Sequence, residues 1–132
     1  MSRIIRAIVL STAIAACASV SAAPPLPMLS STQSAVTVKA TPRGLQGDVW
    51  EFDVVFDTHS QELKDDLMKS AVLVPAGGTS VSPLEWKGDP PGGHHREGVL
   101  RFNAIQPTPA GLDLRIDRAG ESKPRSFNWS LK

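Results

Sequence analysis

Cysteine is nearly missing from this chain, and tyrosine is missing altogether: one cysteine, no tyrosine and three histidines stand in 132 residues. A lone cysteine, Cys17, excludes an intrachain disulfide and any cluster of thiolate metal ligands. No basic run of five or more occurs, which removes the electrostatic case for nucleic acid or an anionic lipid surface. There is no glycine loop followed by a helix with Lys-Ser/Thr, and hence no phosphate loop. No serine sits in a nucleophile elbow. No heptad repeat and no internal repeat is visible. Stability must therefore come from an apolar core, and recognition from a small number of polar side chains.

The longest apolar stretch, Ile4 to Ala16, is interrupted by Arg6, Ser11 and Thr12 and is too short to span a bilayer permanently. Arg3 and Arg6 precede or enter it, and Val20-Ser21-Ala22 supplies small residues where a signal peptidase cuts. Residues 1–22 are expected to be a secretory signal, making the domain periplasmic or secreted. Ile14-Ala15-Ala16-Cys17 also resembles a bacterial lipobox. In that reading Cys17 is acylated, and the chain is an outer-membrane lipoprotein whose contact with the membrane is this anchor. Cleavage after Ala22 is the preferred reading. With Arg3 and Arg6 gone, the 14 basic residues fall to 12 against 13 acidic ones, a formal charge of −1.

Residues 23–34, rich in proline and serine and uncharged, read as an extended or disordered linker. From residue 35 to 132 the pattern is that of short strands. Val49 to Thr58 alternates most clearly, with Trp50, Phe52, Val54 and Phe56 on one face and Glu51, Asp53 and Asp57 on the other. Strands are also expected over 35–40, 71–74, 81–86, 98–105, 112–116 and 126–131, with a hairpin turn at 76–79. A helical turn is expected between Ser60, as its cap, and Lys69, with Asp65-Asp66 on its solvated face. About seven strands punctuated by glycine and proline predict an all-β fold, an immunoglobulin-like antiparallel β-sandwich. Trp50, Phe52, Val54 and Phe56 should share its core with Leu100, Phe102, Leu112, Leu114, Ile116, Phe127 and Trp129.

The remaining signal is GDPPGGHHREGVLRF, residues 88–102. Together with the WxFxVxFDTHS pattern from Trp50 to Ser60 and the closing Phe127-x-Trp129-x-Leu131, it resembles a family of small exported prokaryotic β-sandwich proteins without an assigned activity. The likeness spans residues 48–132. It implies a shared fold and a shared local site, and brings no catalytic residues.

Loops and strand ends of a sandwich gather at two poles, so His59, beside Asp57, can meet His94 and His95 at one of them. Imidazoles with a carboxylate suit Cu²⁺ or Zn²⁺, so His59, His94, His95 and Asp57 are the candidate metal ligands. Arg96 and Glu97 are expected to complete a loop network. The competing reading makes these residues turn-pinning groups with no ligand. The function expected is an exported, non-enzymatic binding module for a divalent metal or a partner protein. The alternative is a structural, envelope-associated lipoprotein domain.

Overall fold

The computed structural model describes residues 25–132; the signal-like segment and Cys17 lie outside the described residues. Eight strands and one helical turn follow in order: β1 (Leu29–Gln33), β2 (Val36–Pro42), β3 (Val49–Thr58), α1 (Leu67–Ser70), β4 (Ala71–Pro75), β5 (Glu85–Gly88), β6 (His95–Asn103), β7 (Gly111–Ile116) and β8 (Arg125–Ser130). β3 occupies the predicted span because its period-two pattern fits one buried and one wet face. Trp50, Phe52, Val54 and Phe56 are at most 1% exposed, each burial worth roughly 1.5–3 kcal/mol.

The strands form two antiparallel sheets, ordered β1-β2-β3-β6-β5 and β4-β7-β8. Without β1 this is the A-B-E-D and C-F-G arrangement of a constant-type immunoglobulin domain, so the predicted fold class is the observed one. The inter-sheet disulfide of antibody domains is replaced by packing. Phe52 meets Phe102 edge-on, with centroids 5.7 Å apart, and Trp129 across the core at 5.7 Å. All eleven predicted core residues belong to one buried cluster, joined by Val36, Val38, Leu63, Leu67 and Leu73.

Five expectations need correction. Residues 29–33 are not a free linker: they pair with β2 through a two-residue turn at Ser34-Ala35, adding an eighth strand. The helical turn is capped by Asp66, whose side chain accepts from the Met68 N–H, and not by Ser60. Residues 76–79 do not join a paired hairpin. β4 pairs with β7, β5 pairs with β6 in the other sheet, and only a Leu73–Val81 bridge links the return. Pro83 in the run from Val81 to Trp86 lacks the N–H a ladder needs, so the strand begins only at Glu85. β6 begins at His95 rather than Gly98, which moves His95, Arg96 and Glu97 from loop to strand.

Candidate functional site at the loop pole

Four connections meet at one end of the sandwich: the Ser34-Ala35 turn, residues 59–66, residues 89–94 and residues 117–124. Backbone bonds join the last three and their flanking elements: Thr58 N–H to His94 O, Leu63 N–H to Gly93 O, Gly92 N–H to Leu63 O, and Asp117 N–H to Ser70 O. His59 follows Thr58, so His59, His94 and His95 share this pole. All three are exposed.

Asp57 and His95 are cross-strand partners on the outer face of the larger sheet. His95 Nδ1 lies 2.5 Å from Asp57 Oδ1, and its Nε2 lies 3.3 Å from Glu97 Oε2. Neutral imidazole can donate from only one nitrogen, so serving both carboxylates requires the imidazolium. The bond to Asp57, with Glu97 adding, raises the His95 pKa above its ordinary 6.5. His95 is thereby engaged on both ring nitrogens by carboxylates, Asp57 and Glu97. Among the described residues, no group of three or more His, Cys, Asp or Glu is arranged to hold a metal ion.

The next residue points the other way. Arg96 is 2% exposed. Its guanidinium donates to Asp65 O at 2.7 Å and to Asp89 O at 3.3 and 3.4 Å, and it lies 5.7 Å from the Trp86 ring centroid. Burial lowers its pKa, opposed by the nearby carboxylates of Asp65, Asp89 and Asp66. Trp86 is half-buried, and its indole N–H also donates to Asp89 O. The ring crosses the facing pair Gly88 and Gly98. A Cβ on Gly98 would lie 2.6 Å from Gly88 Cα and 2.6 Å from Lys87 O. Asp89 closes the loop by accepting the Glu97 N–H on Oδ2 and donating its own N–H to Glu97 O. Gly92 and Gly93, at φ 121° and 71°, make the left-handed bend that β-carbons oppose.

A second arginine frame was missed in the sequence. Asp65, read as solvated, has a side chain only 7% exposed and takes a two-pronged bond from Arg118 at 2.9 and 3.1 Å. Arg118 also reaches Glu121, which is held on both oxygens by Arg125 at 2.7 and 2.9 Å. Hydrogen bonding from Arg125 keeps the Glu121 carboxyl below the usual range. Arg125 further donates to the carbonyls of Ser31, Gln33 and Val36. Beside this frame, a cleft of about 540 Å³ runs between the β3–β4 and β7–β8 connections, lined by Lys64, Asp66, Lys69, Ser70 and Asp117.

Fold and pole together define an immunoglobulin-like sandwich whose β3–β4, β5–β6 and β7–β8 connections are locked by buried arginines. No protein-family model, curated protein or solved structure matches the chain.

Proposed function

We propose that this chain is an exported, non-enzymatic binding module that meets its ligand at the loop pole. One observation carries the reading: the pole is rigid beneath and polar above. Arg96, Arg118 and Arg125 fix the connections from below, while His59 and His94 stand exposed and form no ring hydrogen bond among the described residues. Pre-ordered loops on a rigid sandwich lower the entropy cost of binding. The ligand is a partner protein or a divalent cation, Cu²⁺ or Zn²⁺. The cation would rest on His59 and His94, since Asp57 and Glu97 already occupy His95. Localisation is periplasmic or secreted, or at the outer membrane if Cys17 carries lipid.

Calorimetric titration of the wild type and of His59→Ala/His94→Ala with Zn²⁺ and Cu²⁺ separates the ligands. Binding lost in the double variant identifies the cation. Without metal binding, a photo-crosslinker at position 94 should capture one discrete partner in the cell envelope. If neither result appears, the binding reading is wrong.

A structural role, as an envelope-associated domain, is the second reading. The internal bonding of residues 88–98 favours it, because that motif satisfies its own backbone and leaves little need for a ligand to explain its glycines.

A further inference from the structure

We propose that β1 exchanges between two copies of this chain, giving a strand-swapped dimer built on the Ser34-Ala35 turn. The seven-strand immunoglobulin frame is complete without β1, so β1 is an addition rather than a structural necessity. It is five residues long and largely exposed. It joins β2 through two consecutive non-glycine residues at positive φ, Ser34 at 51° and Ala35 at 62°. A two-residue turn of that hand favours Asn-Gly, and neither serine nor alanine relieves the Cβ crowding. The closed turn depends on side chains from the next connection: Thr58 Oγ1 donates to Ala35 O and Gln61 Nε2 to Ser34 O.

Opening the turn releases both left-handed residues and makes residues 29–42 one continuous strand. The register permits this without loss. Partner positions in every β1–β2 pair add to 69, from Leu29 with Ala40 to Gln33 with Val36. Two opened strands related by a two-fold axis keep all five pairs, now between chains, and Ser34 opposite the partner copy's Ala35 obeys the same relation. Arg125 would then hold Val36 O of its own chain and the Ser31 and Gln33 carbonyls of the exchanged strand, clamping the two copies. Short hinges under strain favour exchange of this kind, and the two-fold closes it.

The test sets two turn variants of the full-length chain against the wild type in sedimentation equilibrium. Ser34→Asn/Ala35→Gly relaxes the closed turn and should weaken the dimer by roughly tenfold or more. Ala35→Pro cannot take positive φ and biases Ser34 to extended backbone, so it should be dimeric. Exchange is read directly from Thr32→Cys/Thr37→Cys with Cys17→Ser, since the Thr32 and Thr37 hydroxyls face each other at 2.9 Å. After oxidation, the dimer should run at twice the chain mass in a non-reducing denaturing gel. A folded, monomeric Ala35→Pro, or a dimer whose cysteines close only within chains, overturns the proposal. If Ala35→Pro does not fold, a wild type that stays monomeric at millimolar concentration overturns it equally.

Discussion

His95 and Arg96 are adjacent basic residues with opposite surroundings, because consecutive strand residues face opposite sides of the sheet. Arg96 lies inward at the end of the core, where carbonyls and the Trp86 ring replace water. His95 lies outward between Asp57 and Glu97. Its folded pKa is raised, so its contribution to stability is complete below the unfolded value near 6.5 and is lost as pH rises through the folded value. His95→Gln should therefore lower the melting temperature most below pH 6.5, with the gap closing at alkaline pH. The effect is small, since solvent screens a half-exposed pair. A gap independent of pH, followed by calorimetry, would show that the ring contributes only by packing.

Among the elements, β3 anchors the core and the β5–β6 loop rests on close backbone approach. Phe52 is fully buried between Phe102 and Trp129, and Phe52→Ala should cost about 3–5 kcal/mol in urea unfolding. Gly98→Ala is the corresponding test of the loop. Its new methyl would lie 2.6 Å from two backbone atoms of β5, Gly88 Cα and Lys87 O, and 2.8 Å from the Trp86 ring, so the β5–β6 pair must part and Trp86 must shift. A loss of about 1–3 kcal/mol is expected, together with a change in Trp86 fluorescence as its ring leaves Arg96. Unchanged stability would mean that the facing glycines serve some need other than close approach.

For the molecule as a whole, the buried frame from Arg125 through Glu121 and Arg118 to Asp65 ties the β1–β2 turn, the β7–β8 connection and the β3–β4 connection into one pole. Removing one member leaves buried charge unpaired, so Glu121→Gln should cost about 3 kcal/mol at pH 7. Glu121 has a depressed folded pKa, so its contribution exists above the unfolded value of 4.5 and disappears as pH falls through the folded one. Wild type and variant should converge in urea midpoint under strong acid. A constant difference across that range would place the energetic role of Glu121 outside its charge.

Local pattern by itself determined β3, the inward faces of β7 and β8, the shared core and the immunoglobulin-like class, because burial of one face writes a period of two into neighbouring residues. Tertiary structure alone decided the polar half. Arg125 bonds Ser31 across 94 positions, and Arg118 bonds Asp65 across 53. No local spacing distinguishes such arginines from solvated ones. β1 was hidden for the same reason: Leu-Ser-Ser-Thr-Gln has little apolar pattern, and its pairing comes from the β2 edge and from Arg125. The line from Asp57 through His95 to Glu97 needed the β3–β6 register, because a shift of one residue would turn His95 inward and Arg96 out to solvent.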